Sequence, residues 1–116
     1  MSDCLFCRII KGEVPAQRVY EDDNVLAFHD ISPQAPVHIL VVPKAHIASA
    51  ADFTAENSIH AANCFAAIAK IAKSEGLIHG FRVITNSGAD GNQSVFHIHF
   101  HLLGGKEMGE KLVIGT

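Results

Sequence analysis

Apolar and polar residues alternate most strictly over Gln93–Gly105, QSVFHIHFHLLGG. His97, His99 and His101 stand two apart, and Phe96, Ile98, Phe100 and Leu102 take the positions between and after them. A period of two is the strand period, so the three imidazoles are predicted to share one face and the apolar side chains the other. Upstream, Val37–Pro43 (VHILVVP) is apolar almost throughout, which predicts a central strand with sheet neighbours on both sides. Arg18–Glu21 and Val25–His29 predict two shorter strands joined through Asp22, Asp23 and Asn24, residues that favour tight turns. Phe81–Thr85 predicts a further strand, with Phe81, Val83 and Thr85 on one face.

The period changes to that of a helix in two places. Cys4–Lys11 predicts a short helical turn, with Leu5, Phe6, Ile9 and Ile10 as its apolar side and Gly12 as its stop. Ala61, Cys64, Phe65, Ile68, Ile71 and Ala72 recur at helical spacing between Thr54, a fair N-cap, and Gly76, a plausible stop. One long amphipathic helix is therefore expected over residues 54–76. Ser32–Pro36 holds two prolines and is denied helix. Asn86–Ser94, with two glycines, is a loop that delivers Gln93 and Ser94 to the histidine row. In the tail, residues 106–116, the apolar piece Leu112–Ile114 predicts a last strand or an arm laid on a partner.

At 116 residues the chain is expected to form one domain, 1–116, with one modest core. Hydrophobic residues make up 48% and charged ones 18%, the balance of an ordinary globular protein rather than a disordered one. The net charge of −3, with no block of lysine and arginine, argues against a general nucleic-acid binder. Any phosphate must then be held by a local pocket. No apolar run approaches membrane-spanning length, so no membrane association is expected. Three cysteines form no even framework, which points to a reducing, cytoplasmic setting.

Histidine titrates nearest neutrality, so a row of three on one face suits a nucleophile, a proton carrier or a metal ligand. Cys4 and Cys7 stand at CxxC spacing, close enough to grip one metal ion, or are unligated thiols. A redox role is less attractive, because no strand precedes the pair. His46 follows the central strand in PKAHI, a loop position typical of ligands. His38, inside that strand, is either a satisfied core histidine or part of a site. Asp30 is either a turn acid or, beside a pocket, a carboxylate suited to two vicinal sugar hydroxyls. Cys64 lies on the helical stripe and reads as core. His60 and His79 read as surface residues.

The His-x-His-x-His run resembles the histidine triad (HIT) superfamily. The likeness extends through HDISPQAPVHILVVPKAHI, NSGADGNQSVFHIHFHLLGG and FCRIIKGEVPAQRVYEDD, and these are similar to the nucleotide-binding branch that hydrolyses purine nucleoside phosphoramidates. The resemblance implies an α+β fold: a five-stranded antiparallel sheet, one short N-terminal helix and one long helix, with the sheet pooled to ten strands in a homodimer. It implies cleavage of adenosine 5′-phosphoramidate to AMP and an amine through a nucleotidyl-histidine. By motif position His99 would be the nucleophile, and His101 and Ser94 would position the phosphate and departing amine, with Gln93 and Asn86 in the phosphate pocket. His38 would back His99 and fix its tautomer. Asp30 would take the ribose hydroxyls, while Phe6, Ile9, Phe28, His29 and Ile31 would line the base pocket. Relatives with the cysteine pair imply a structural zinc held by Cys4, Cys7, His46 and His97.

Two features depart from the family pattern: the tail ends GGKEMGEKLVIGT and lacks the tryptophan- and proline-containing C-terminus of the branch in animals, so leaving-group preference is open, and Cys4 and Cys7 are absent from many members. The competing readings are a catalytic zinc hydrolase, a dinucleoside polyphosphate hydrolase, and a nucleotide-binding scaffold with vestigial activity. The first lacks an obvious glutamate base beside the histidine row.

Overall fold

A computed structural model describes residues 3–113. Five antiparallel strands form one sheet: β1 (Arg18–Glu21), β2 (Val25–His29), β3 (Val37–Pro43), β4 (Arg82–Ile84) and β5 (Phe100–Gly104), in the order β1-β2-β3-β5-β4. The short helix α1 spans Leu5–Ile10 and the long helix α2 spans Ile59–Ser74. This is the expected α+β arrangement, with the apolar strand β3 at its centre.

The strand period sorts side chains cleanly between the two helices. Val25, Ala27, Ile39, Val41, Phe100 and Leu102 pack with Cys64, Ala67, Ile68 and Ile71 of α2. Leu26, Phe28, Leu40 and Val42 take the other face and pack with Phe6 and Ile9 of α1. Both faces are thus covered, which is why β2 and β3 read as nearly continuous apolar runs rather than as alternation. His38 falls on the α1 side, and so does His101, a diagonal neighbour across the β3–β5 pairing of His38 with Leu103 and Leu40 with His101.

Three boundaries differ from those expected. The ordered part of the histidine strand begins only at Phe100, so His97 and His99 lie on its irregular approach. The β3 ladder gives out there: its pairing with β5 ends at Val41–Phe100, and Pro43 has no N–H to continue it. Ile98 N–H donates instead to Ile47 O at 2.6 Å, and the in–out alternation survives, with Ile98 in the α2 core. Phe96 does not join that core and is 59% exposed. Helix α2 starts at Ile59 rather than near Thr54, because Thr54 and Asn57 cap one another in a preceding turn: Thr54 N–H donates to Asn57 Oδ1 and Asn57 N–H to Thr54 Oγ1. Phe65, expected on the buried stripe, is half exposed and meets Phe100 edge-on. Gly76 does end the helix, at φ +72°, a conformation that favours glycine. β4 is three residues long, and Phe81 beside it is exposed.

The tail forms no strand through Val113; Arg82 Nη2 donates to Gly109 O at 2.8 Å and ties it to β4. The end of the Leu112–Ile114 piece lies outside the described residues. His79 is exposed as expected, whereas His60 is half-buried, with a ring nitrogen that has no hydrogen-bond partner among the described residues.

Candidate active site and metal cluster

On the α1 side, a cavity of about 860 Å³ opens between α1, the segment 14–17, the end of β2 and the approach to β5. Phe6, Ile9, Phe28, His29 and Ile31 line it, together with Asp30, Ser94, His99 and His101. The first five make a largely apolar wall; Ile31 is 98% exposed, an apolar side chain at the cavity mouth with no protein packed over it. Phe6 stands edge-on to both Phe28 and His99, at ring separations of 5.5 and 5.0 Å. Val14, Pro15, Ala16 and Gln17 also line the cavity, and no sequence motif singles them out. Their signal is only positional, an extended segment leaving a short helix.

The histidines are oriented by hydrogen bonds that decide which nitrogen is free. His99 Nδ1 is 2.8 Å from the carbonyl oxygen of His97. A carbonyl only accepts, so Nδ1 carries a proton, and in the neutral ring Nε2 holds the lone pair. His38 does not reach His99. Its Nε2 lies 2.9 Å from His101 Nδ1 and 3.4 Å from Asp30 Oδ2. The diagonal placement on β3 and β5 accounts for this: His101 shares the regular ladder with His38, and His99 lies beyond it. Burial holds both rings below the usual imidazole range, against a smaller upward pull from Asp30; for His101, the neighbouring His99 and His38 add to the effect and bring it to about 4. Both are therefore neutral near pH 7.

Asn86 and Gln93, expected in the phosphate pocket, do not line the cavity. Gln93 is buried and its amide is fully used: Nε2 donates to Ala48 O and Val95 O at 2.6 and 3.0 Å, and Oε1 accepts from Gly88 N–H at 2.9 Å. It braces the glycine loop instead of facing it outward. The loop closes tightly, since a Cβ at Gly91 would lie 2.7 Å from Ser87 O. Ser94 sits exposed at the cavity rim.

Cys4, Cys7, His46 and His97 converge, with one donor atom from each within 4.8 Å of every other. Cys4 Sγ lies 3.3 Å from His97 Nδ1, and Cys7 Sγ lies 3.4 Å from His46 Nδ1 and 3.5 Å from His97 Nδ1. Zinc bonds of about 2.3 Å to sulfur and 2.0–2.1 Å to nitrogen imply tetrahedral edges of roughly 3.3–3.8 Å, so these separations suit zinc. His97 Nε2 donates to Pro43 O at 2.8 Å, which leaves Nδ1 as the free lone pair aimed at the cluster. Burial, with the Cys4 thiol beside it, pushes the Cys7 thiol up, and burial pushes His97 down. A divalent cation would reverse the first effect and use the second, because it takes thiolate and neutral imidazole. The donor set fits.

The HIT domain family model matches residues 11–108, and the chain belongs to that family. It is 45% identical over 111 residues to a purine nucleoside phosphoramidase of Escherichia coli strain K12, an alignment spanning 95% of this chain and 93% of the relative. Among solved structures, a histidine triad protein from Clostridium difficile superposes with a TM-score of 0.92 at 48% identity, covering 96% of this chain and 97% of that one. A HIT family hydrolase from Legionella pneumophila gives a TM-score of 0.90 at 49% identity, covering 93% and 97%. The chain is an enzyme, a hydrolase of the histidine triad type.

Proposed function

We propose that this hydrolase cleaves purine nucleoside phosphoramidates, releasing a nucleoside monophosphate and an amine, with His99 as nucleophile. The observation that carries the reading is the bond from His99 Nδ1 to His97 O, which leaves Nε2 as a lone pair on a ring that lines the cavity. Neutral imidazole attacks phosphorus without a separate base. Attack forms a P–Nε2 bond and breaks the P–N bond of the substrate, and the departing amine takes up one proton at the rim where Ser94 and His101 stand. Water then displaces Nε2 from phosphorus and gives up one proton, so the cycle balances. His101 and Ser94 are the side chains offered to the nonbridging oxygens, and fixed donors there stabilise charge as it develops. Asp30 takes the ribose hydroxyls, and the wall of Phe6, Ile9, Phe28, His29 and Ile31 takes the base.

Cys4, Cys7, His46 and His97 would hold one zinc ion, whose closed four-ligand site supplies stability rather than a water for reaction. It would staple α1, and with it Phe6 and Ile9, to the approach of β5. The enzyme works as a homodimer in this reading: Ile59 and Phe65 of α2 and Phe81 beside the edge strand β4 leave apolar surface uncovered, at 57%, 50% and 45% exposure. Three free thiols suit a reducing cytoplasm. Incubation with adenosine 5′-phosphoramidate should release AMP, and turnover of diadenosine polyphosphates alone would point to the sister activity.

A further inference from the structure

Gln34 has an exposed side chain, turned back to donate from Nε2 to Ser32 O at 3.2 Å. Its peptide N–H donates to His38 Nδ1 at 3.0 Å. The loop that aims it is pinned at its start, where Ser32 N–H donates to Asp30 Oδ1 at 2.7 Å, and Pro33 and Pro36 restrict its path. A peptide N–H cannot accept, so His38 Nδ1 must present a lone pair, and the neutral ring carries its proton on Nε2. That proton faces His101 Nδ1 and Asp30 Oδ2. His101 Nδ1 is then the acceptor, and neutral His101 keeps its own N–H on Nε2.

We propose that the peptide N–H of Gln34 is a positioning group that sets the direction of the His38–His101 hydrogen bond, so that His101 offers an N–H donor through Nε2 rather than a lone pair. The functional consequence rests on the phosphoramidase reading. A phosphoryl oxygen beside His101 is stabilised by a donor and repelled by a lone pair, and one misdirected proton upstream would exchange the two. The same constraint bears on the convergence of Asp30, His38 and His101, whose donor atoms also lie within 4.8 Å of one another. A cation there would need the Nε2 lone pair of His38, which a neutral ring engaged by Gln34 N–H does not have. A proton occupies that place.

The test replaces Gln34 in the full chain by the corresponding α-hydroxy acid through semisynthesis, turning the peptide N–H into an ester oxygen. Gln34→Ala, which keeps the N–H, is the control. Nitrogen-15 spectra of the His38 imidazole read the tautomer directly and need no turnover. Wild type and Gln34→Ala should hold His38 protonated on Nε2. The ester variant should gain the Nδ1-protonated form, and its kcat on adenosine 5′-phosphoramidate should fall about three- to tenfold with KM little changed, the scale of one net hydrogen bond. A wild-type ring already protonated on Nδ1 would overturn the proposal. So would an ester variant with an unaltered tautomer, or a shifted tautomer with unaltered kcat. Failure of the wild type to cleave the phosphoramidate would refute the functional reading, while the spectra still judge the role of Gln34.

Discussion

His97 holds His99 through its backbone while its own ring joins the cluster of Cys4, Cys7 and His46. The carbonyl of His97 accepts from His99 Nδ1 at 2.8 Å, and His97 Nδ1 stands 3.3 Å from Cys4 Sγ. One residue thus ties the candidate nucleophile to the cluster that includes Cys7 of α1 and its N-cap, Cys4. The two functions separate by atom, which gives the mutations below different signatures.

Cys4→Ser and His97→Ala should act first on stability. Protein purified without chelator should carry about one zinc per chain, and either variant should lose it and melt earlier, since closed zinc sites contribute directly to folding. Cys4→Ser should keep turnover within a few-fold below its melting range. Metal analysis beside calorimetry checks this. Chelation that abolishes turnover while the fold survives would favour a catalytic metal.

Gln93→Ala should cost roughly 2–4 kcal/mol of stability, because it strands the Gly88 N–H and the carbonyls of Ala48 and Val95. Denaturant melts measure the loss. An unchanged melt with weakened nucleotide affinity would restore Gln93 to the phosphate pocket.

Burial of neutral His101 sets a pH dependence with a definite sign. Its folded value, about 4, lies below the ordinary 6.5, so the unfolded chain binds the proton first and stability falls as pH drops from about 6.5 through 4. His38, also lowered, acts in the same direction. His101→Gln should flatten part of that slope in melts recorded between pH 7 and pH 4. An equal slope in wild type and variant would contradict the account.

Phe65→Glu should dissociate a dimer if the exposed apolar surface of α2 is its seat. Sedimentation at micromolar concentration should give twice the 12.5 kDa chain mass for wild type and the chain mass for the variant. A wild type that sediments only at 12.5 kDa would remove the dimer from the account.

Much of this architecture is legible in the sequence because strand and helix periods differ. The β3 run VHILVVP announces a central strand with neighbours on both sides, and the Ala61–Ala72 stripe announces α2. The convergence of Cys4, Cys7, His46 and His97 followed from the family likeness, and the fold brings the four together. What stays hidden is hydrogen-bond direction. No pattern tells that His38 meets His101 rather than His99, since this depends on the β3–β5 ladder ending at Val41–Phe100, which leaves His99 outside it. Nor does sequence tell that Gln93 spends its amide on Ala48, Val95 and Gly88, because loop closure is set by backbone groups that every residue carries.

The central claim is that His99 Nε2 becomes bonded to the nucleotide. Rapid-quench mass spectrometry of wild type with adenosine 5′-phosphoramidate should trap one nucleotide on the peptide holding Phe96–Leu102, as an acid-labile, base-stable linkage. His99→Ala should lose that adduct and nearly all turnover, several kcal/mol in barrier, while still binding AMP through the base wall and Asp30. A label on Ser94, or near-normal turnover in His99→Ala, would contradict the mechanism.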